Sequence, residues 1–570
     1  MKRYEDYAFV SRAPRTTIIR AFLLGSLLTA GALATSSVMA QQPAGPVVQT
    51  ADGPVRGFVN SSGVNVFLGI PFAAPPVGDL RWKPPAPPAS HGLLDATQYA
   101  DSCLVTEQQS FGGPERTSED CLYLNIFTTG NKGAPKPVIV WIYGGGNVEG
   151  EANDYDGSKQ ATGGPLGTPT VVVTFGYRLG LFGFLSESHL NSENGNGNWG
   201  NYGILDQQAA LRWVKANIAA FGGDPTRVAL GGQSAGAVDV GANVLSPGAA
   251  GLFNRAIFES SLPAFSGLPT AATALARGNA FAAAAFCSTS ACLRSLSAAR
   301  ILELQGTATG NLNDPTINQS YTVGPFVDGT IIAHQPQTAF TTGQYNHMPT
   351  ISGTVKDEGN FGLAIAEYFS RVALTAAQYL ASNPANVLAE YPLSDYGNDP
   401  QIAEDRVSTD PTKCQTLHVL NLWAPAIATY GYDFTYQNAP VNFPQMPNAS
   451  SPTGHFQGLA YHTADIQFQY VDFHGGKFGV NKDQTSGQPR ELQGPEITLS
   501  DQLVAAWTNF AATGNPNGTG APVWPMFTAG SGPFLQQDIP NSAESVAQYR
   551  ANYKCDFWDP LLTYPTDPTD

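Results

Sequence analysis

Three apolar runs, free of charged residues, stand out in the first third of the chain: Leu122-Tyr123-Leu124-Asn125-Ile126-Phe127, Val138-Ile139-Val140-Trp141-Ile142-Tyr143 and Thr170-Val171-Val172-Val173-Thr174. Each is bounded by turn residues, the pattern of strands covered on both faces, so the chain is predicted to build a central sheet. Ahead of them, Val55-Arg56-Gly57-Phe58-Val59 and Val64-Asn65-Val66-Phe67-Leu68 read as short antiparallel strands joined through Asn60 to Gly63. A Pro-rich passage, Pro71 to Pro88, follows. From Leu205 to Phe221 the period changes, with Leu205, Ala209, Leu211, Trp213, Val214 and Ile218 at helical spacing. This helix leads through Gly222-Gly223-Asp224-Pro225 into another apolar run, Arg227-Val228-Ala229-Leu230. Later helices are expected over Ala271 to Phe286, Leu374 to Leu388 and Leu499 to Ala512. Two segments rich in Asn, Gly, Ser and Pro, Ser186 to Asn201 and Gln437 to Gly454, read as surface loops. The first contains Gly195-x-Gly197-x-x-Gly200, formally a dinucleotide fingerprint, but no strand precedes it and NAD binding is rejected.

With 570 residues and 42% apolar composition, length alone allows two to four domains or one large single-sheet enzyme. The first forty residues stand apart. Lys2, Arg3, Arg12, Arg15 and Arg20 precede an uncharged stretch from Ala21 to Ala34, and Val38-Met39-Ala40 offers small residues for cleavage before Gln41. This is the form of a bacterial-style secretory leader; its apolar run is shorter than the ~20 residues that span a bilayer. The expected organisation is therefore a signal peptide over 1–40 and one domain over 41–570, secreted or periplasmic, with no stable membrane anchor after cleavage. Without the leader the chain keeps 24 basic and 43 acidic residues, a formal charge of about −19. That surface repels phosphate backbones, and no basic cluster interrupts it, which argues against nucleic-acid binding. Six cysteines in an exported chain suggest three disulfides rather than a metal site, and no C-x-x-C or H-E-x-x-H occurs. Fifteen pairings are formally possible; Cys287 and Cys292 are spaced for a small loop closed locally.

The pentapeptide Gly232-Gln233-Ser234-Ala235-Gly236 directly follows the Arg227 to Leu230 run and precedes a small-residue segment. Helix, turn, strand, sharp turn and helix is the setting of a nucleophile elbow, in which the serine hydroxyl is exposed on a strained turn. Acyl transfer by serine also needs donors aimed at the developing alkoxide. Tyr143-Gly144-Gly145-Gly146, at the end of a strong strand and upstream of the serine, suits that role through the amides of Gly145 and Gly146, with Ala235 as the further donor.

Together with these motifs, several segments resemble the type-B carboxylesterase family, the cholinesterase-like branch of the α/β-hydrolases, from about residue 46 to the C-terminal region. They are Leu68-Gly69-Ile70-Pro71-Phe72-Ala73, Arg81-Trp82, Ser118-Glu119-Asp120-Cys121-Leu122-Tyr123-Leu124-Asn125, Tyr177-Arg178-Leu179-Gly180, Asn201-Tyr202-Gly203-Ile204-Leu205-Asp206-Gln207, Phe221-Gly222-Gly223-Asp224-Pro225, Trp507-Thr508-Asn509-Phe510 and Gly514-Asn515-Pro516-Asn517. The resemblance implies an α/β-hydrolase fold: a large, mostly parallel, twisted central sheet flanked by helices, with small N-terminal antiparallel strands. It implies a serine hydrolase of small-molecule carboxylic esters that needs no metal or cofactor. It makes Glu358 of Lys356-Asp357-Glu358-Gly359 the orienting acid, a choice over Asp357 that side-chain chemistry alone leaves open. For the base, the order serine, acid, histidine leaves His418, His455, His462 and His474; the family pattern selects His462, in Tyr461-His462-Thr463-Ala464-Asp465, over His474. The resemblance also pairs Cys103 with Cys121, Cys287 with Cys292 and Cys414 with Cys555, and makes Arg81 and Glu119 a structural ion pair.

Three departures bear on the substrate pocket. Many relatives carry Glu before the nucleophile, where this chain has Gln233. Cholinesterases place a Trp before the second cysteine as a platform for quaternary ammonium, and counting back from Cys121 gives Phe111. Asn147 follows the glycine triplet where an aromatic is common. A weaker platform and a missing carboxylate point to neutral, hydrophobic esters. The alternatives are a lipase, an esterase specialised for a polymer or toxin, and a non-catalytic binding protein of the same fold.

Overall fold

The charge-free runs occupy the middle of a sheet with both faces covered, and all five residues of Val171–Phe175 are buried. The computed structural model describes residues 45–105, 116–195, 197, 199–261, 267–310, 323–370, 372–442, 457–471, 473–475, 479–519 and 521–567. The proposed leader, Phe111, His455 and much of the Gln437 to Gly454 loop lie outside the described residues.

Among the described residues eleven strands form the central sheet: β1 (Phe58–Val59), β2 (Asn65–Pro71), β3 (Tyr123–Thr128), β4 (Lys136–Ile142), β5 (Val171–Phe175), β6 (Gly223–Gln233), β7 (Arg255–Glu259), β8 (Thr350–Val355), β9 (Thr429–Phe434), β10 (Phe534–Gln537) and β11 (Ser542–Glu544). Their spatial order is β11-β10-β9-β8-β7-β6-β4-β5-β3-β2-β1. Every pair from β5 across to β10 is parallel, and the pairs at the two ends are antiparallel. This is the mostly parallel sheet of an α/β-hydrolase. Because β5 lies on one side of β4 and β6 on the other, the winding reverses at β4. Such a reversal opens a crevice beyond the carboxyl ends of the strands.

The principal flanking helices are α1 (Tyr202–Asn217), α2 (Ala235–Leu245), α3 (Gly359–Ser370), α4 (Pro400–Trp423) and α5 (Pro495–Thr513). The helix expected from Leu205 to Phe221 starts three residues earlier and finishes as a 3-10 turn over Ile218–Phe221, where Gly222 caps it with φ +86°. The stretch from Leu374 to Leu388 is two short helices, Ala376–Ser382 and Ala385–Glu390. Pro384 separates them, because the residue before a proline is driven out of helical conformation, and Asn383 has ψ 138°. The N-terminal hairpin is also divided: Pro54–Arg56 joins Val47–Gln49 and Leu94–Asp95 in a small sheet, while only Phe58 and Val59 pair with Val66 and Asn65.

Disulfides join Cys103 to Cys121, Cys287 to Cys292 and Cys414 to Cys555. Arg81 holds Glu119 through two bonds of 2.7 and 2.5 Å and donates to the carbonyls of Arg294 and Leu296, so it ties three segments together. Among the described residues no helix is long and apolar enough to cross a membrane.

Candidate active site

Strand β6 ends at Gln233, and the chain reverses at Ser234 with φ +57° and ψ −128° before entering α2. A non-glycine residue in this region carries roughly 1–3 kcal/mol of strain, so the surroundings must impose it. They do so from both neighbouring strands. The Ser234 amide donates to the Glu259 carbonyl at the end of β7 (2.9 Å), and a Cβ on Gly236 would lie 2.1 Å from the Ile142 carbonyl at the end of β4. Only glycine lets α2 start this close to β4. The hydroxyl is left at the carboxyl edge of the sheet on a half-buried residue.

The loop after β4 meets this turn at Gly144, where a Cβ would stand 2.7 Å from the Gln233 carbonyl and 3.0 Å from Ser234 Cβ. The loop continues through Gly145 (φ +113°), Gly146 (φ +63°) and Asn147 (φ +60°). Among the described residues, the amides of Gly145, Gly146 and Ala235 donate no hydrogen bond within the chain. Ala235 is also the first residue of α2, where the helix dipole favours negative charge. Asn147, expected at the substrate pocket, is 3% exposed, with its side-chain Nδ2 3.1 Å from Asp239 Oδ1.

Opposite the elbow, the turn after β8 presents Glu358. Its Oε1 accepts from the Val355 amide (3.0 Å) and its Oε2 lies 2.5 Å from His462 Nδ1. Asp357 faces the other way, accepting from the Ala460 amide (3.0 Å) and Gln437 Nε2 (2.8 Å). The geometry therefore brings Glu358, and not Asp357, to the imidazole. His462 Nε2 lies 3.2 Å from Gln233 Nε2, and the Phe361 ring stands 5.5 Å from the imidazole. With Nδ1 facing a carboxylate, Nε2 of the neutral ring accepts, and the Gln233 amide donates to it. Gln233 itself is 1% exposed. Among the described residues His474 has no such carboxylate and its buried Nδ1 makes no hydrogen bond.

Two buried acids beneath this pair escape sequence reasoning as site residues. Asp465 accepts from Tyr432 Oη (3.1 Å), and burial, reinforced by the nearby Glu358 charge, pushes its carboxyl up to about 6. Glu259, whose carbonyl anchors Ser234, has a side chain held by Trp507 Nε1 (2.7 Å) and Gln469 Nε2 (2.9 Å). Burial and then the charge of Asp465 drive it well above the carboxylate range. Asp465 is signalled only by its place three residues after His462; Glu259 has no signal beyond ending a strand. Among the described residues no group of three or more His, Cys, Asp or Glu side chains could hold a metal ion.

A serine on a strained turn, a glycine loop packed against it and a carboxylate-bound imidazole form a set able to carry out acyl transfer. Comparison with known proteins agrees with that chemistry. Residues 44–558 match the carboxylesterase family. The chain is similar to a cocaine esterase of Homo sapiens, 32% identical over 561 residues and covering 92% of each protein. It is similar to a liver carboxylesterase of Sus scrofa, 33% identical over 598 residues, covering 95% of this chain and 97% of the other. Among solved structures it resembles a Geobacillus stearothermophilus carboxylesterase with a TM-score of 0.71 and 29% identity, covering 89% of this chain and 99% of that one.

Proposed function

This chain belongs to the carboxylesterase family and hydrolyses carboxylic esters; we propose that it does so through an acyl-enzyme on Ser234, with His462 as base, Glu358 as orienting acid and neutral esters as substrates. The observation that carries this reading is the 2.5 Å bond between Glu358 and His462 Nδ1, which leaves Nε2 as the proton acceptor at the elbow. As Ser234 Oγ attacks the ester carbonyl, His462 takes its proton, and Glu358 holds the tautomer and stabilises the imidazolium. The amides of Gly145, Gly146 and Ala235 receive the oxyanion. His462 then protonates the leaving alcohol, and water repeats the cycle on the acyl-enzyme. The preference for neutral esters rests on Gln233, an uncharged amide beside the imidazole. The same reading takes the protein as a bacterial, exported one, with 1–40 as a cleaved leader; three disulfides suit an oxidising compartment.

The test is labelling by a fluorophosphonate together with turnover of p-nitrophenyl esters of increasing acyl length. Wild-type protein is expected to label and turn over, Ser234→Ala to do neither, and His462→Gln to lose about a thousandfold or more in kcat while His474→Gln retains it. A wild-type protein that neither labels nor hydrolyses any ester of the series, or a loss confined to His474→Gln, overturns the reading.

A further inference from the structure

Gly144, Gly145 and Gly146 have no side chains with which to hold their amides in place; the Gly145 carbonyl accepts from the amides of Val148 (3.1 Å) and Glu149 (3.0 Å) within the loop, and the loop is tied to its surroundings at both ends. At one end, Tyr177 Oη donates to the Tyr143 carbonyl (2.9 Å), with the two rings 4.6 Å apart. At the other end stands Asn147, whose carbonyl accepts from the Gly180 amide (2.7 Å) and whose side chain donates to Asp239 (3.1 Å). Asp239 lies on α2, the helix that carries the elbow, five residues beyond Ser234. It is fully buried. Its second oxygen accepts from Gln207 Nε2 on α1 (2.6 Å), and Asn243 Nδ2 in turn donates to Gln207 Oε1 (2.7 Å) and to the Asp239 carbonyl (2.9 Å).

We propose that Asn147 and Asp239 are positioning residues that tie the glycine donor loop to the nucleophile helix, so that the amides of Gly145 and Gly146 stay aligned with that of Ala235. The proposal rests on the assignment of Ser234 as nucleophile. A helix that moves as a rigid body carries both Ser234 and Asp239, and the Asn147 amide makes the loop follow it. Asn also suits the place conformationally, since φ +60° is tolerated by Asn far better than by most residues.

The tether is pH-sensitive by construction. Among the described residues the Asp239 carboxyl bonds to the amides of Asn147 and Gln207, and its charge also reaches the buried phenols of Tyr143 and Tyr177; none of these groups is cationic. Burial without a cation pushes it up to about 7, against the smaller opposing pull of Gln207 and Asn147. Ionised, it accepts both amides. Protonated, it becomes a donor on one oxygen, and the buried Asn147 Oδ1, which has no partner among the described residues, is the acceptor within reach once the amide turns.

Three proteins decide the matter: wild type, Asn147→Gly, which keeps the backbone conformation and removes the tether, and Asp239→Asn, which keeps an acceptor and removes the titration. The readouts are kcat and KM for p-nitrophenyl butyrate per fluorophosphonate-titrated site, and affinity for a trifluoromethyl ketone that forms the tetrahedral oxyanion, each from pH 5 to 9. The expectation is a fall of about tenfold or more in kcat for Asn147→Gly with KM within about threefold, and an equal loss of ketone affinity. Asp239→Asn offers one donor and one acceptor, as the protonated acid does, so at pH 8 it is expected to have a lower kcat than wild type and to lack the part of the wild-type pH profile that bends near neutrality. A residue that merely supports the fold would lower the melting temperature and leave kcat per titrated site unchanged; that result, or an Asp239→Asn profile superimposable on wild type, overturns the proposal. Wild-type protein that fails to label overturns the serine assignment instead, and is recognised before the variants are compared.

Discussion

Replacing Gln233 with Glu changes one atom type at a point where distance and burial are both known. The side chain is 1% exposed and its amide nitrogen lies 3.2 Å from His462 Nε2. A carboxylate there would attract the imidazolium with about 5 kcal/mol at an effective dielectric of about 20, as a gross figure. Against this stands the cost of burying a new carboxylate, several kcal/mol, beside the existing charges of Glu358 and Asp465. The net is the effect usual for a close opposite charge, about 1.4–2.7 kcal/mol, or one to two pH units in favour of the protonated ring. A protonated ring cannot take the Ser234 proton. The acid limb of kcat/KM should therefore move up by about one to two pH units, with roughly a tenfold loss at a pH between the two limbs. The assay is kcat/KM from pH 5 to 9 for two esters of one shape, butyrylcholine and 3,3-dimethylbutyl butyrate. Gln233→Glu should also shift preference toward the cationic ester by about tenfold at high pH, where the new carboxyl is ionised. An acid limb that stays in place or moves down, or an unchanged ratio between the two esters, would refute the reasoning from charge.

Two further outcomes concern stability. The bond between Cys414 and Cys555 closes a loop across 141 positions, so Cys414→Ala with Cys555→Ala should cost up to about 5 kcal/mol in reversible urea unfolding while kcat at 25 °C stays near wild type; a cost below about 1 kcal/mol would refute the loop-closure estimate. Lys413 and Asp433 form an ion pair 2.6 Å apart with both side chains fully buried. Lys413→Met should destabilise by about 3–5 kcal/mol because it strands a buried carboxylate, and Lys413→Met with Asp433→Leu should recover much of that; a double variant no more stable than the single one would show that the charge left behind is not the cause.

Strands β7 and β9, equally interior, carry Arg255, Glu259, Thr429 and Asp433 and were not legible, whereas β4 and β5 were, because a strand covered on both faces must be apolar throughout and they satisfy that with few exceptions. Helix α4 was not legible, for the opposite reason. Its buried side includes Asp405, Thr409, Asp410, Lys413 and Thr416, so polar residues occupy positions where an apolar stripe would mark a helix, and Pro411 lies inside it. These polar groups find partners outside the helix: Lys413 in Asp433, Asp410 in Tyr391 and Asp405 in the Asn360 amide, with Arg406, one turn before Asp410 on the same helix, as a further partner. A periodicity argument sees only the helix itself. The break at Pro384 was legible in principle, since proline marks it, and the apolar spacing on either side obscured it.

The site divides along the same line. Its local parts, the glycine-flanked serine and the glycine triplet, are short-range solutions to close backbone approach, and close approach leaves glycine in the sequence. Its assembly is a matter of register. Gly232 lies opposite Ile142, Gln233 opposite Glu259 and Glu259 opposite Gly353, so β4, β6 and β7 end within a residue of one another, β8 runs two residues further to Val355, and the glycine loop, the serine and the Glu358 turn arrive at one edge. A slip of one residue in any of these pairs would turn that strand's side chains to the opposite face and carry its loop out of reach. The contacts that tune the site depend on this alignment without contributing to its motifs: Gln233 reaches His462 across 229 positions, and Asn147 reaches Asp239 across 92. In the sequence, Gln233 and Asn147 are only departures from a pattern. In the fold, one touches His462 Nε2 and the other joins the glycine loop to the helix after Ser234, so on the proposed roles the charge of the first should appear in the pH dependence and the loss of the second in kcat.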